Sequence, residues 1–326
     1  MRIRDYKIPV NIVTGFLGAG KTTLLNKILE EKSNENIVVI INEFGELSVD
    51  HQLIVTTKEE IIEINSGCIC CNVRKDLIDT LNTIIRKQKG HARPIDRVII
   101  ETTGMANPAP VIQTFLMDIE MSRSFKIDSV CAVLDAKHLF QHIEEDELQQ
   151  QIAFADVLLF NKTDLVSEHT VKELERKVGE INPHAKRFCT VNSQLDFTQI
   201  IGLHSFELSN LLTIQPDLLN NIAYHSHNQK VNSIVFHDDR ALDLQKLNNW
   251  LAYLVQIKGE SLYRYKGILF IKGIEERVVF QGVHMLFAST KDRLWKQEEK
   301  KCNEIVFIGK DLDFSELEEG FNYCLV

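Results

Sequence analysis

The sequence predicts an α/β domain with a mostly parallel, doubly wound sheet, followed by a smaller α+β domain. Several apolar runs are continuous rather than alternating, at 37–41, 98–100 and 157–160, which is typical of strands buried on both faces. Amphipathic segments of helical length separate these runs, in the rhythm of β-α-β units. The chain of 326 residues is also longer than one ordinary domain of about 100–200 residues.

The elements follow in chain order from apolar runs and helical periodicity. In the first part, strands are predicted at 8–14, 37–41, 61–64, 97–101, 129–134, 157–160 and 187–191. Helices are predicted between them at 22–32, 73–89, 108–118, 146–155 and 168–181. Later strands are predicted at 231–237, 262–271, 277–282, 283–288 and 304–308, with one helix at 243–257. The predicted domains are therefore residues 1–205 and 231–326, joined by a linker at 206–230.

Composition and charge exclude several classes of protein. Hydrophobic residues make up 44% of the chain and charged residues 25%, as in ordinary globular proteins. The net charge of −9 argues against a partner bound through a nucleic-acid backbone. No apolar run approaches the ~18 residues that span a bilayer, so no membrane partner is expected. Three of the seven cysteines lie within positions 68–71, which favours a reducing compartment and predicts a cytoplasmic protein.

The strongest motif predicts a phosphate-loop NTPase. It is the run Gly15-Phe16-Leu17-Gly18-Ala19-Gly20-Lys21-Thr22, which matches G-x-x-x-x-G-K-[ST] between a predicted strand and a predicted helix. The backbone of Gly15, Gly18, Ala19 and Gly20 would surround phosphate oxygens at a helix N-terminus. Lys21 would reach the β- and γ-phosphates, Thr22 would ligate Mg²⁺, and Thr23 would contact the α-phosphate.

Two further motifs indicate which nucleotide base is bound and which segment responds to the γ-phosphate. Asn161-Lys162-Thr163-Asp164 follows a buried run and looks like the N-K-x-D element of GTPases, in which the Asp164 carboxylate accepts N1–H and the exocyclic amine of guanine. GTP is therefore predicted over ATP. The run Glu101-Thr102-Thr103-Gly104 resembles a magnesium-binding strand end leading into a D-x-x-G switch, with Glu101 in place of Asp. The residues predicted to carry catalysis are Lys21, Thr22, Glu101 and Gly104, with slow intrinsic turnover because no general base stands out.

A cysteine motif and an acidic loop predict a second metal site. Cys68, Cys70 and Cys71 lie in the run Gly67-Cys68-Ile69-Cys70-Cys71, and thiolates suit Zn²⁺ or another soft or borderline cation. Three thiolates leave a tetrahedron open, and Glu43, Glu46 or His51 could supply a further ligand. Adjacent cysteines can also be small buried apolar residues or a redox switch. His225 and His227 lie in the predicted linker. They are either an auxiliary metal site or ordinary polar residues.

These motifs together resemble the CobW family of metal-chaperone GTPases, and most of all its YjiA-like branch. The residues that carry the resemblance are at 12–25, 42–46, 67–71, 101–108, 263–267, 280–283 and 305–309. The resemblance implies GTP-dependent handling of Zn²⁺, or of Co²⁺ or Ni²⁺, and delivery of the metal to a client metalloprotein. It also implies a relation to the GTPases that load nickel into urease and hydrogenase, and hence a homodimer across the nucleotide. One departure is Ile41, which stands where YjiA-like members carry an acidic residue proposed to bind metal.

Three hypotheses therefore remain at this stage. The first is a GTPase whose hydrolysis gates a metal site. The second is a phosphate-loop kinase for a small molecule, against which the guanine motif and the absence of an arginine-rich lid both argue. The third is a thiol redox sensor that binds a nucleotide.

Overall fold

The computed structural model describes residues 7–43, 60–65, 72–90, 94–205 and 231–326, which divide into two compact units. Most of residues 7–205 form the first unit. Residues 231–326, together with 152–154 and 176–184, form the second. The linker predicted at 206–230 lies outside the described residues, so the domain limits at 205 and 231 stay predictions.

The first unit is built on a parallel sheet, which confirms the predicted fold class. In the described part of the chain the sheet has seven strands in the order β3-β2-β4-β1-β5-β6-β7, and every neighbouring pair is parallel. The strands are β1 (Ile8–Thr14), β2 (Ile37–Glu43), β3 (Glu60–Asn65), β4 (Arg97–Glu101), β5 (Phe125–Asp135), β6 (Val157–Asn161) and β7 (Lys186–Cys189). Strands β1, β4 and β6 are buried along their full length, and the continuous apolar runs at 98–100 and 157–160 predicted this for β4 and β6. Because the strands are parallel, their carboxyl ends meet at one edge, where α/β proteins bind ligands.

Seven helices connect these strands among the described residues. They are α1 (Lys21–Glu31), α2 (Asn72–Gly90), α3 (Ala109–Met117), α4 (Ile119–Ser124), α5 (Leu139–His142), α6 (Asp146–Phe154) and α7 (Glu168–Ile181). The helix predicted at 108–118 is α3, and a second short helix, α4, follows it directly. The Asp118 carboxylate accepts hydrogen bonds from the N–H groups of Glu120 and Met121 and so begins α4. Helices α4 and α5 were not predicted because one or two turns are too short to show a period.

The second unit is an antiparallel sheet with two helices, which confirms the predicted α+β class. Its strands are β8 (Val231–Asp238), β9 (Leu262–Leu269), β10 (Glu276–Val283), β11 (Leu286–Leu294) and β12 (Asn303–Lys310), in the order β11-β10-β9-β12-β8. Helices α8 (Leu244–Lys258) and α9 (Phe314–Cys324) share one apolar core with the sheet. That core includes Trp250, Phe307 and Phe321. Neither unit contains a helix, within the described ranges, that is long and apolar enough to cross a membrane.

Two features of the second unit differ from the prediction. The strand predicted at 283–288 is wrong: Val283 ends β10, the chain turns with His284 at φ 51°, and β11 begins at Leu286. Helix α9 was not predicted, since acidic residues and Gly320 interrupt its apolar pattern. A Cβ on Gly320 would lie 1.9 Å from Nε1 of Trp250, so glycine at this position allows α9 and Trp250 to pack.

Glu299 is expected to stabilise the second unit through an ion-pair network. Its carboxylate accepts hydrogen bonds from Arg293 at 2.6 and 2.8 Å and from the nearly buried Arg277 at 2.8 Å. The hydrogen bonds from Arg293 lower the pKa of Glu299 from 4.5 to about 2. Replacing Glu299 with glutamine should therefore lower the free energy of unfolding at pH 7 by about 1–3 kcal/mol.

The sign of the pH dependence follows from the depressed pKa. The contribution of Glu299 is fully present above its unfolded-state pKa of 4.5 and is lost as the pH falls through about 2. Urea unfolding of the wild type and Glu299→Gln should show a smaller difference at pH 3 than at pH 7. Exposed Glu298, replaced in the same way, is the control. An equal difference at both pH values would contradict the role given to the Glu299 carboxylate.

Candidate functional site

At three positions of the loop after β1, the backbone has a conformation that only glycine adopts readily. Gly15, Gly18 and Gly20 have φ values of 138°, 75° and 109°. A Cβ on Gly15 would also lie 2.2 Å from the carbonyl oxygen of Val133 in β5. Ala19, the fourth residue predicted to surround phosphates, is buried and donates its N–H to the Phe16 carbonyl at 3.2 Å. The loop therefore turns tightly between β1 and α1, as the phosphate-loop motif predicted.

Lys21 is the first residue of α1 and folds back over this loop. Its side chain is buried, and its ammonium donates to the Phe16 carbonyl at 3.3 Å. Gly20, which precedes α1, has no side chain to cap the helix, so the first N–H groups of α1 are available for an anion. The next predicted contact, Thr23, is exposed. The ammonium and the helix N-terminus together place positive charge at the mouth of the loop.

Thr22 and Glu101 meet although they are far apart in sequence. Glu101 is the last residue of β4 and is only 3% exposed, and the Thr22 hydroxyl donates to its Oε1 at 3.3 Å. The start of the next segment is fixed by Thr102, which donates its N–H to the Val13 carbonyl at 3.0 Å. A hydroxyl beside a carboxylate provides the hard oxygen donors that Mg²⁺ prefers, so the donor set fits that ion.

Gly104, the predicted switch glycine, lies directly against the phosphate loop. A Cβ at this position would be 2.6 Å from the backbone nitrogen of Leu17, so a side chain could not be accommodated without moving backbone. The carbonyls of Gly104 and Ala106 both accept hydrogen bonds from the side-chain amide of Gln151 in α6, each at 3.2 Å. The segment after Glu101 is thus in contact with the loop whose ligand it was predicted to sense.

The residues predicted to recognise the base lie at the end of β6. Asn161 donates to the Ala19 carbonyl at 2.9 Å, and the neighbouring Lys162, at φ 61°, donates to the Gly18 carbonyl at 2.7 Å. The motif therefore binds two successive carbonyls of the phosphate loop. Asp164 is exposed, and no described residue forms a hydrogen bond with its carboxylate.

Three residues of this site were not found from the sequence. Asp135, at the end of β5, accepts a hydrogen bond from Lys162 at 2.6 Å. Thr190 and Ser193 follow β7 and donate to the Asn161 side-chain oxygen at 3.2 and 2.8 Å, through a hydroxyl and a backbone N–H. Each lies just after a strand that neighbours β6 or β1 in the sheet, and that position is the signal that could have found them.

The electrostatics of Asp135 favour its ionised form. Burial opposes ionisation, but the hydrogen bonds from Lys162 and His138 outweigh that effect and lower the pKa of Asp135. A carboxylate that is charged at neutral pH keeps the Lys162 ammonium in place beside the phosphate loop. Asp135 therefore acts on the base-binding motif through Lys162.

The predicted transition-metal ligands fall outside what the structure describes. Most of the predicted ligands lie outside the described residues: Cys68, Cys70, Cys71, Glu46, His51, His225 and His227. Glu43 is described only as the last residue of β2. Elsewhere in the described ranges, no group of three or more histidine, cysteine or acidic side chains is placed to hold a metal ion. The metal site therefore stays a prediction from the sequence.

Comparison with known proteins covers nearly the whole chain. The model of the CobW/HypB/UreG nucleotide-binding domain matches residues 9–188, and that of the cobalamin synthesis protein cobW C-terminal domain matches residues 231–325. The chain is 36% identical to the zinc chaperone YjiA of Escherichia coli over 320 residues, which cover 96% of this chain and 98% of that protein.

A eukaryotic relative and a crystal structure show the same similarity. The chain is 33% identical to zinc-regulated GTPase metalloprotein activator 1 of Schizosaccharomyces pombe over 347 residues, covering 94% of this chain and 83% of that protein. The crystal structure of Zn(II)-bound YjiA GTPase from E. coli has a TM-score of 0.77 at 30% identity, over 98% of this chain and all of that one (100%). The resemblance that the motifs indicated is confirmed.

Proposed function

The chain belongs to the CobW/HypB/UreG family, and on that premise we propose that it is a GTP-hydrolysing metal chaperone that delivers Zn²⁺ to a client metalloprotein. One observation carries the nucleotide half of this proposal. Direct hydrogen bonds at one edge of the sheet join the phosphate loop, the Thr22–Glu101 pair and the Asn161-Lys162 motif. The relatives named above, a zinc chaperone and a zinc-regulated GTPase, support the metal half.

The nucleotide would bind with its phosphates in the loop and its base beside Asp164. The backbone N–H groups of residues 18–20 and the Lys21 ammonium would bind the β- and γ-phosphates, and Thr23 would contact the α-phosphate. The exposed Asp164 carboxylate is free to accept the two N–H groups that guanine offers and adenine lacks. Lys162, held by Asp135, would lie along the plane of the base.

Hydrolysis would depend on positioning and charge more than on proton transfer. Thr22 would supply a hydroxyl ligand to Mg²⁺, and Glu101 would hold the same ion through its water shell. When bound, Mg²⁺ neutralises charge on the β- and γ-phosphates. The Gly104 N–H would contact the γ-phosphate, so the loss of that group would change the segment that follows. Because the described residues present no general base, we expect slow intrinsic turnover.

Zn²⁺ is proposed as the cargo and not as a resident cofactor. Cys68, Cys70 and Cys71, with Glu43 and Glu46, would bind it, and Co²⁺ or Ni²⁺ could occupy the same donors. Ile41 stands where YjiA-like relatives carry an acidic residue, so the metal site has one acidic side chain fewer. Metal affinity is therefore expected to differ from that of those relatives. We further propose a homodimer, and a cytoplasmic location because closely spaced thiols bind metal only when reduced.

The decisive experiment is to titrate Zn²⁺ into the protein bound to GDP and into the protein bound to a non-hydrolysable GTP analogue. If the nucleotide gates the metal site, the two affinities should differ by roughly 5–150-fold, the usual range of coupling between sites. Replacing Cys68, Cys70 and Cys71 with serine should weaken Zn²⁺ binding and leave nucleotide affinity unchanged. Cys189→Ser, which removes an exposed thiol outside the motif, is the matched control.

Each alternative predicts a different result. Equal Zn²⁺ affinities in the two states would remove the gating and leave metal binding intact. Transfer of the γ-phosphoryl group of GTP to a small-molecule acceptor, with no phosphate released when the acceptor is absent, would indicate a kinase. A disulfide within 68–71 that forms reversibly, together with no Zn²⁺ binding by the protein in excess reductant, where the thiols are free to bind, would indicate a redox sensor.

A further inference from the structure

A buried glutamine holds the middle of the segment that follows Glu101. Gln151 is 0% exposed, and its Nε2 donates to the carbonyls of Gly104 and Ala106, each at 3.2 Å. Gln151 belongs to α6, whose neighbouring residues Leu148 and Ile152 are themselves buried. The side chain is thus presented by a rigid element and has little rotamer freedom to lose on contact.

Contacts hold this segment at its two ends, and a turn bond from the Ala106 N–H to the Thr103 carbonyl at 3.1 Å lies between them. At the start, the Thr102 hydroxyl donates to that of Thr14 at 2.9 Å. At the end, the Asn107 side-chain oxygen accepts the Ala109 N–H at 2.8 Å and begins α3. Between these anchors, the Gln151 amide contacts two carbonyls that are two residues apart.

The two sides of the Gln151 amide differ in their hydrogen bonding. The Oε1 of Gln151 is buried and has no hydrogen-bond partner among the described residues. An unsatisfied buried acceptor is destabilising by roughly 1–3 kcal/mol, whereas methionine would fill the same space without that cost. The donor side of the amide contacts the Gly104–Ala106 segment.

We propose that Gln151 is a positioning residue that aligns Gly104 for contact with the γ-phosphate, and so sets the preference for GTP over GDP. The backbone at Gly104 lies so close to Leu17 that a small rotation of this peptide would change its distance from the phosphate loop. GDP has no γ-phosphate and would not use this contact. The inference rests on the proposed GTP binding.

The test is to replace Gln151 with methionine, which keeps the length of the side chain and removes the donor. The affinity for a non-hydrolysable GTP analogue should fall about tenfold, as should kcat for GTP, while the affinity for GDP stays within twofold. Gln151→Glu, which faces both carbonyls with a carboxylate, should reduce GTP-analogue affinity further. Unchanged GDP affinity also shows that each variant folds.

The control lies on the same helix. Gln149 is equally buried, and both atoms of its amide lack hydrogen-bond partners among the described residues. Gln149→Met should leave the ratio of GTP-analogue to GDP affinity unchanged. If Gln151→Met changes both affinities equally or neither, the positioning role is wrong. If the wild type binds neither nucleotide, the proposed function itself fails.

Discussion

Replacing Lys21 with alanine is expected to lower kcat for GTP hydrolysis by at least about 100-fold, the scale of removing one preorganised donor at a developing charge. Lys21 and Mg²⁺ would be the two main cations at the γ-phosphate, so the variant loses one of the two in the transition state. Single-turnover measurement of phosphate release, with GTP and Mg²⁺ in excess over their dissociation constants, would separate this loss from weaker binding.

The fold of Lys21→Ala should remain close to that of the wild type, although Lys21 is more buried than a solvent-lined anion site would suggest. Its ammonium contacts the Phe16 carbonyl, which keeps the Ala19 N–H as a second donor after the substitution. Removing a cation from a helix N-terminus also relieves an unfavourable interaction with the helix dipole. Thermal unfolding of the apo protein checks this expectation.

Lys27→Ala is the matched control for Lys21. It removes the same charge from the same helix, but its ammonium donates to the Gln194 side chain at 2.8 Å, in an exposed contact. Turnover of Lys27→Ala should stay within about twofold of the wild type, which is smaller than the effect of a lost transition-state contact. Turnover of Lys21→Ala within a few-fold of the wild type would contradict the phosphate-loop interpretation.

Replacing Asp164 with asparagine is expected to reduce GTP affinity by about 100-fold or more. The carboxylate would accept two hydrogen bonds from guanine, and each bond to a charged group contributes about 1.5–3 kcal/mol. Because Asp164 is exposed and forms no hydrogen bond with another described residue, the substitution should not affect the fold. Xanthine carries a carbonyl where guanine carries its exocyclic amine, and the asparagine amide can donate a hydrogen bond to that carbonyl. XTP should therefore bind better than GTP to this variant.

Competition between fluorescent GDP and unlabelled GTP, XTP and ATP measures this change in preference. Glu168→Gln removes a nearby exposed negative charge at the start of α7 and is expected to leave the order of affinities unchanged. If Asp164→Asn binds GTP as tightly as the wild type, guanine is recognised elsewhere. In that case the assignment of residues 161–164 to the base would be wrong.

Local sequence was sufficient to predict the strands of the parallel sheet and the phosphate loop. The strand predicted at 8–14 has the same limits in the structure, and the glycines at 15, 18 and 20 have the positive φ values that the motif requires. Both signals are local: a short β-branched run that ends at a glycine predicts a strand, and a positive φ is readily adopted only by glycine. Because these motifs follow parallel strands, they lie at one edge of the sheet.

The tertiary structure decided which polar side chains support those motifs. Asp135, Ser193 and Gln151 each act on a partner at least 27 residues away, and no local pattern distinguishes them from other polar residues. Their roles depend on which strand ends and helices become neighbours, because a buried polar group is stable only where the fold provides its hydrogen-bond partner. Helix α9 was missed because acidic residues and Gly320 interrupt its apolar pattern, and only the packing against Trp250 explains the glycine.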